Sequence, residues 1–360
     1  MRENTSRWAN GKLGLAAAAV IASGALAMTG DNARADEGGV SFWLPGQFGS
    51  LAAAPGVPGW TLGLVNYYPS VSASGAVAAA REVTLGRFNG TVNVNLNATI
   101  KATPDLVFVA PGYTFATPVF GGQFALSAIT AVGRSVTDLS GTLTLTGPGG
   151  GAVTRQGALD EGRTGFSDIY PLATLKWNHG VDNWMAYMMG DIPVGMYSSS
   201  SLANIGIGHG AIDSGVGYTY FNPQTGNEFS AVTGLTYNFE NYSTDYTNGV
   251  DWHLDWGASH FLTKTVQIGA IGYVYDQVTR DEGAAPILGN FESRVVGVGP
   301  QLGLIFPGRT MQTYLNFKSY WEFDADNRPS GWNAWVTLAF SPSAPAAETA
   351  PPPIVTKTAR

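Results

Sequence analysis

The stretch that decides the fold runs from residue 249 to residue 279 and reads GVDWHLDWGASHFLTKTVQIGAIGYVYDQVT. Polar and apolar side chains alternate along it from position 251 onward. In the first half the polar positions are Asp251, His253 and Asp255, and the apolar ones are Trp252, Leu254 and Trp256. After the short turn at 262–265, the polar side carries Gln267, Tyr273, Tyr275 and Gln277. Because successive side chains of a strand point to opposite faces, the stretch predicts an antiparallel hairpin.

The length of these two strands indicates where their apolar face points. Strands of soluble proteins usually have about 5 to 6 residues, and the alternating runs here are about twice as long. A strand that crosses a membrane needs about 9 to 11 residues, with its apolar side in lipid and its polar side in a lumen. Trp252 and Trp256 on the apolar face also suit the aromatic girdles of membrane barrels. The hairpin therefore favours a transmembrane β-barrel.

The composition narrows the class of protein further. Only 12% of the residues are charged, 47 of the 360 are Gly and none is Cys, which excludes a disulfide scaffold and thiolate metal sites. Beyond the N-terminal region no apolar run reaches the roughly 18 residues of a membrane helix. Without residues 1–35, which hold four of the 19 basic and two of the 26 acidic residues, the formal charge is −9. An acidic chain argues against nucleic acid as a partner, since phosphate binding needs a basic patch.

The N-terminal region predicts export. A positive segment with Arg2, Arg7 and Lys12 precedes the apolar run 13–28, and Ala33-Arg34-Ala35 follows. This order is typical of a secretory signal peptide that is cleaved, here after Ala35. An N-terminal anchor helix is the alternative. With a barrel, residues 1–35 predict a protein of the Gram-negative outer membrane.

Two further segments flank the predicted barrel at 59–340. Residues 36–58, which we call the N-terminal segment, have Pro and Gly at a density that argues against a central strand. They contain Phe42, Trp43, Leu44 and Phe48, which would be buried if the segment folded back into the lumen as a plug. A loosely tethered periplasmic arm is the equal alternative. Residues 341–360 are rich in Pro and Ala and predict an extended disordered tail.

The rest of the chain predicts an all-β, up-and-down antiparallel barrel of 12 to 14 strands. Beside the 249–279 hairpin, the predicted strands are 59–72, 91–101, 106–117, 123–135, 166–178, 183–197, 211–222, 229–241, 294–306, 311–323 and 331–340. Tight turns at 262–265 and 307–309 alternate with long connections at 281–290 and 324–330, as in outer-membrane barrels. An even strand number follows if both ends are periplasmic. The number is 14 if 139–147 forms a strand and 12 if that region and a neighbour do not count.

The polar positions of the strands predict the lining of the lumen. These residues are Asn93, Asn95, Asn97, Lys101, Asn238, Glu240, Asp251, His253, Asp255, Tyr273, Tyr275, Lys318 and Glu322. Asp251, His253 and Asp255 also raise the hypothesis of a catalytic or metal cluster. A hydrolase would need a nucleophile beside His253, and Ser259 lies too far along the strand to be one. We therefore predict no catalytic residue, no metal site and no cofactor.

Several strings dispersed along the chain carry a family resemblance. They are LPGQFGSLAA at 44–53, SDIYPLATLKW at 167–177, NIG at 204–206, TGNE at 225–228, ENYSTDYTNGVDWH at 240–253, IGYVYDQVT at 271–279 and VGPQ at 298–301. Together they resemble the family associated with the meta-pathway of phenol degradation, a group of predicted outer-membrane transporters. The resemblance covers about residues 40–340. It implies an outer-membrane barrel linked with uptake of aromatic or other hydrophobic small molecules.

Three functions follow as hypotheses. The first is a passive channel for small, aromatic or hydrophobic solutes, with outer-membrane lipids and the barrel assembly machinery as partners. The assembly machinery is expected because the last predicted strand ends in the aromatic Phe340. The second hypothesis is a structural or adhesive barrel whose lumen is filled, and the third is a lipid-modifying enzyme. Whether the lumen is filled discriminates the first from the second.

Overall fold

All of the regular structure in the described residues is β-strand. The computed structural model describes residues 41–74, 94–146, 152–283 and 292–344. Within them lie fifteen strands. They are β1 (Gly59–Ser74), β2 (Val94–Ala102), β3 (Asp105–Thr114), β4 (Gln123–Thr146), β5 (Ala152–His179), β6 (Asp182–Gly190), β7 (Ala211–Asn222), β8 (Asn227–Asn238), β9 (Tyr246–Thr247), β10 (Asp251–Phe261), β11 (Val266–Gln277), β12 (Glu282–Gly283), β13 (Arg294–Phe306), β14 (Met311–Asp326) and β15 (Ser330–Pro342). In this part of the chain no helix has the length and apolarity needed to span a bilayer.

The strands close into a twelve-membered antiparallel ring. β1 pairs with β15 along eleven residues, from Leu62 opposite Phe340 to Ser72 opposite Ser330, and this seam closes the barrel. β2 and β3 share one position in the wall, since both lie between β1 and β4 and are separated by Thr103 and Pro104 alone. β9 and β12 form a separate two-stranded ladder. The barrel prediction is confirmed, with the smaller of the two predicted strand numbers.

Burial alternates along the strands as the sequence pattern predicted. In β6 the side chains of Met185, Tyr187 and Met189 are buried in the barrel, and those of Trp184 and Met188 are exposed outside. Large apolar side chains on an outer wall are unfavourable in water and favourable in lipid. The outer wall carries many more of them, including Val216, Phe229, Leu235, Tyr237, Ile268, Phe317, Trp321 and Trp332. This surface is typical of a barrel embedded in a membrane.

Several strand boundaries differ from those predicted. Residues 139–165 form no separate strand, because β4 and β5 continue as one paired hairpin from Gln123 opposite Lys176 to Thr146 opposite Ala152. β6 ends at Gly190 rather than 197, and Pro193 follows, which has no N–H to donate to a ladder. The connection predicted as long at 324–330 has three residues, 327–329, because β14 continues to Asp326.

The predicted signal peptide, the Asn93 position and residues 345–360 lie outside the described residues.

Candidate functional site: the barrel lumen

The N-terminal segment, described from residue 41, lies against the inward-facing side chains of the barrel. At one end the N–H of Gly56 donates to Oε1 of Gln123, the first residue of β4, at 2.7 Å. At the other end Oγ of Ser41 accepts from Arg328 at 3.2 Å, in the connection between β14 and β15. Trp43 and Ala53 are fully buried between these points. The segment therefore extends along the lumen between these two ends. We call the end where β4 begins, which also carries the turns at 262–265 and 307–310, the short-turn end.

A tight turn at Leu44, Pro45, Gly46 and Gln47 forms the centre of this segment. The N–H of Gln47 donates to the carbonyl oxygen of Leu44 at 3.1 Å, and Gly46 has a φ of +88°. Pro at the second position and Gly at the third are the residues that a type II turn requires. A Cβ atom at Gly46 would lie 2.8 Å from the Tyr320 ring. Both the backbone and the neighbouring strand thus require glycine here.

Two charged residues of the wall bind the backbone of this turn. Asp255 accepts from the N–H of Gly46 through Oδ1 at 2.9 Å and from the N–H of Phe48 through Oδ2 at 3.0 Å. Lys318 donates from Nζ to the carbonyl oxygen of Gly46 at 2.6 Å, and the Tyr320 hydroxyl donates to the same oxygen at 3.2 Å. Buried charges are tolerated when hydrogen bonds replace their water. Asp255 and Lys318 therefore hold the turn from both sides.

His253 supports the largest side chain of the segment. Its ring stacks on Trp43 with centroids 3.5 Å apart and an interplanar angle of 12°. Its Nε2 lies 2.8 Å from Oδ2 of Asp213 and 3.4 Å from the Tyr187 hydroxyl. The Thr236 hydroxyl donates to the same Asp213 oxygen at 2.6 Å. These neighbours fix the ring plane on which Trp43 rests.

A third group of contacts holds the segment near the short-turn end. The N–H of Leu51 donates to Oε1 of Glu228 and to Oγ of Ser230, both at 2.9 Å. The N–H of Ala53 donates to Oγ1 of Thr219 at 3.0 Å. The candidate residues chosen from sequence did not include Thr219, Glu228, Ser230 or Asp213. The polar side of the alternation along β7 and β8 is the signal that could have identified them.

Between the N-terminal segment and the wall lies an apolar cavity of about 260 Å³, the lumen cavity. The segment contributes Ser41, Phe42, Leu44, Gln47 and Phe48 to its lining, and the connection between β6 and β7 contributes Ile205 and Ile207. The wall contributes Val65, Leu106, Phe108, Ala110, Ile129, Ser167, Tyr170, Leu172, Met189, Trp335 and Thr337. Most of these side chains are aliphatic or aromatic. The lumen thus has two halves, a polar half that binds the backbone of the segment and an apolar half with open volume.

The structure brings together most of the residues that the sequence predicted for the lumen. Asn238, Asp251, His253, Asp255, Tyr273, Tyr275 and Lys318 are all buried inside the barrel. Half-buried Glu322 accepts from the Tyr273 hydroxyl at 2.7 Å and from Asn333 at 3.2 Å. Phe42, Trp43, Leu44 and Phe48 all pack in the main apolar cluster of the interior.

Two of the predicted lumen residues are placed elsewhere. Glu240 is exposed and lies beyond the end of β8. Lys101 is exposed on the outer face of β2, because its neighbour Ile100 is the one that packs inward with Leu139 and Leu202. β2 continues the wall past β3, where an outer face in water suits polar residues. For Asn95 and Asn97 the backbone register alone is described, opposite Thr144 and Thr142.

The arrangement around His253 does not resemble a hydrolase triad. Ser259 donates to Glu228 at 2.5 Å and accepts from Gln267 at 2.6 Å, so its partners lie away from His253. Among the described residues, no group of three or more His, Cys, Asp or Glu side chains could hold a metal ion. What the lumen offers chemically is an apolar cavity and hydrogen bonds to a peptide backbone.

The fold and the lumen are those of an outer-membrane β-barrel. The chain belongs to the family described as "Putative MetA-pathway of phenol degradation", whose model matches residues 69–338, so the predicted family is confirmed. No curated protein matches the chain significantly.

Among solved structures, an outer membrane channel from Pseudomonas putida F1 is 13% identical with a TM-score of 0.55, and the match covers 80% of this chain and 96% of that one. A FadL homologue from Pseudomonas aeruginosa is 9% identical with a TM-score of 0.37, covering 79% and 90%. The CymD monoaromatic hydrocarbon channel is also 9% identical, with a TM-score of 0.27 and coverage of 80% and 89%. The first of these structures has the same barrel fold as this chain.

Proposed function

We propose that this protein is a passive outer-membrane channel for small apolar molecules, including aromatic ones, and that the N-terminal segment is its plug. The observation that carries the proposal is the lumen cavity of about 260 Å³. A cavity of about 150 Å³ lined by aliphatic and aromatic side chains stays dry and binds benzene. The lumen cavity therefore has room for a molecule of one or two aromatic rings.

The lining of the cavity favours an apolar solute over an ionic one. Phe42, Phe48, Phe108 and Trp335 supply aromatic edges and faces, and the charged Asp255 and Lys318 are engaged by the backbone of the plug. An ion entering the cavity would lose its water without gaining a partner, which costs several kcal/mol or more. An apolar molecule gains about 25 cal/mol for each Å² removed from water.

The proposal includes the location of the protein. Residues 1–35 export the chain and are removed, the barrel lies in the Gram-negative outer membrane, and the aromatic Phe340 near the end of β15 is read by the barrel assembly machinery. The outer wall of large apolar side chains supports the membrane part of this proposal.

Single-channel conductance in a planar bilayer tests the plug, with the full-length barrel compared to a variant lacking residues 36–58. Conductance that appears only after the deletion would identify the segment as the plug. Steady conductance from the full-length protein would instead support an open aqueous pore beside the segment. No conductance from either folded protein would exclude an aqueous pore and leave the apolar cavity as the path.

Calorimetric binding of naphthalene to the detergent-solubilised barrel tests the solute class. Ala110 lines the cavity, so Ala110→Phe should fill it and abolish binding. Ala258 belongs to the outward-facing side of β10, and Ala258→Phe is the matched control that should bind normally. Equal binding by both variants would contradict the assignment of the site to this cavity.

A second candidate function is a structural or adhesive barrel. The observation in its favour is that the N-terminal segment fills part of the lumen and is held by Asp255, Lys318 and Glu228. Neither naphthalene binding nor conductance before or after the deletion would be expected of such a barrel.

A further inference from the structure

The connection between β6 and β7, residues 191–210, lies at the end of the barrel opposite the short-turn end. Two of its side chains, Ile205 and Ile207, line the lumen cavity. Ile205 is buried, and so are the neighbouring Leu202 and Ala203. The connection therefore folds inward and forms part of the boundary of the cavity at that end.

One buried carboxylate holds both arms of this connection. Asp168 of β5 is only 1% exposed. Its Oδ1 accepts from the N–H of Gly195 at 2.6 Å, and its Oδ2 accepts from the N–H of Ile207 at 2.8 Å. Gly195 lies in the arm that leaves β6, and Ile207 lies in the arm that returns to β7. Because hydrogen bonds to a charged group are roughly twice as strong as neutral ones, this single side chain fixes the two arms together.

Two glycines let the backbone come close enough to reach Asp168. A Cβ atom at Gly195 would lie 2.5 Å from the backbone nitrogen of Asp168, and one at Gly206 would lie 3.0 Å from its Oδ1. The carbonyl oxygen of Met196 accepts from the N–H groups of Ile205 at 3.1 Å and Gly206 at 3.0 Å. The two arms are thus joined to each other, so Ile205 and Ile207 move as one unit.

The remaining backbone attachments of this unit to the barrel are few and lead to β5. The N–H of Met196 donates to the carbonyl oxygen of Phe166 at 2.9 Å, and the N–H of Leu202 donates to Oε2 of Glu161 at 2.9 Å. Ile192 pairs with Ile169 at the base of the connection. These bonds lie outside the ladders that close the barrel, so the unit can separate from β5 while the ring of strands stays intact.

Side chains of the next connection, between β8 and β10, also contact the unit. His209 lies 3.2 Å from Asn248 through its Nε2, and the Asn241 side chain donates to the Tyr197 hydroxyl at 2.8 Å. A local opening that breaks a small number of hydrogen bonds costs much less free energy than unfolding of the barrel. The connection therefore has the structure of a lid, with one side fastened through Asp168.

We propose that residues 191–210 are a lid over this end of the lumen cavity, and that Asp168 is the positioning residue that holds the lid closed. The inference rests on the proposed function, because it takes the molecule bound in the lumen cavity as the one that passes the lid. In the closed state Ile205 and Ile207 cover that molecule. Opening breaks both hydrogen bonds to Asp168, and it sets the rate at which the molecule enters and leaves.

The exchange of naphthalene with the purified full-length barrel, followed by stopped-flow fluorescence, tests the role of Asp168. Asp168→Ala should speed both association and dissociation several-fold and leave the Kd nearly unchanged, provided that the closed state still predominates. Damage to the cavity alone would instead weaken binding without faster association. Asp182→Ala is the matched control, because Asp182 accepts a hydrogen bond from Tyr218 at the other end of β6. Rates for Asp168→Ala equal to those of the wild type would overturn the proposal.

A reversible lock keeps the test independent of whether Asp168→Ala folds. A Cβ atom at Gly165 would lie 3.4 Å from the Cβ of Met196, close to the range of about 3.5–4.5 Å that a disulfide spans. The chain has no cysteine, so Gly165→Cys combined with Met196→Cys introduces its only two thiols. The disulfide should slow naphthalene exchange several-fold, and reduction should restore the faster rate.

A second cysteine pair is the matched control for this lock. A Cβ atom at Gly217 would lie 3.5 Å from the Cβ of Met185, its register partner in the wall. Gly217→Cys combined with Met185→Cys therefore joins β6 to β7 without touching the lid, and its oxidation should leave the exchange rate unchanged. Equal slowing by both disulfides, or no slowing by the lid disulfide, would overturn the proposal.

Equilibrium binding of naphthalene separates two kinds of failure. If the wild-type barrel binds naphthalene and the exchange rate responds neither to Asp168→Ala nor to the lid disulfide, the lid alone is overturned. If the wild-type barrel binds none, the proposed function is overturned and the lid with it.

Discussion

The substitution Asp255→Ala should release the N-terminal segment, the proposed plug, from the lumen. It removes the acceptor of two backbone donors, the N–H groups of Gly46 and Phe48, at 2.9 and 3.0 Å. A hydrogen bond to a charged group contributes about 1.5–3 kcal/mol, so the pair contributes at most about 3–6 kcal/mol to the docked state. Two effects offset part of this loss. Water can reach the freed N–H groups, and the desolvation penalty of the buried carboxylate is removed.

We therefore expect a net loss of about 1.4–2.8 kcal/mol for docking, which is a shift of about tenfold to hundredfold in the docked-to-undocked ratio. Single-channel recording would register the shift as a higher open probability. Asp255→Asn retains one acceptor oxygen, so its open probability should lie between those of the wild type and Asp255→Ala. Glu322→Gln is the control, because Glu322 is also a lumen carboxylate and bonds to Tyr273 and Asn333 of the wall.

The reasoning would be refuted by one pattern of results. Suppose that deletion of residues 36–58 opens the channel while Asp255→Ala has the same open probability as the wild type. The segment would then be the plug, and Asp255 would not be the residue that holds it. Release of the segment by Glu322→Gln to the same extent would point to a general effect of lumen charge instead.

Three further outcomes are expected. Gly46→Ala should also raise open probability, because alanine is strained at a φ of +88° and its Cβ would lie 2.8 Å from the Tyr320 ring; an unchanged recording would contradict this. Trp43→Ala removes a fully buried ring stacked on His253 at 3.5 Å and should weaken docking by about 3–5 kcal/mol, measurable as faster protease cleavage of the segment in the intact barrel. Burial raises the pKa of Asp191, in the connection after β6, to about 8, so the folded state retains a proton that the unfolded chain loses above about pH 4. The free energy of unfolding should therefore fall as the pH rises from about 4 to about 8. Asp191→Asn should remove that fall, which heat-modifiability gels would measure. A pH profile of Asp191→Asn identical to that of the wild type would show that Asp191 does not cause it.

Local alternation was enough to predict the wall of the barrel. A two-residue period in the 249–279 hairpin placed Asp251, His253 and Asp255 on one face, and the structure has all three buried inside. Barrel strands pair with their neighbours in sequence, so the order of the ladder follows once the strands are known. The strand number stayed between 12 and 14 because a break such as Thr103 and Pro104 has the same local signature as a turn.

Contacts of the N-terminal segment could not be predicted in the same way. Gly46 meets Asp255 across 209 positions of sequence, and no period or turn signal connects them. The segment has no repeating pattern, so neither its direction in the lumen nor its partners can be derived from its own residues. Its aromatic residues suggested that it would be buried, and its position inside the lumen could be established only from the tertiary structure.

The lumen shows that a polar inner face is not by itself a sign of a water-filled pore. Irregular backbone inside a membrane barrel must find hydrogen-bond partners, because lipid and a narrow lumen offer little water. Asp255, Glu228 and Lys318 supply those partners to the N-terminal segment. The part of the lumen with no backbone to satisfy is the apolar cavity beside Leu172 and Met189. The polar residues explain how the segment is held, and the apolar ones are where a solute would bind and move.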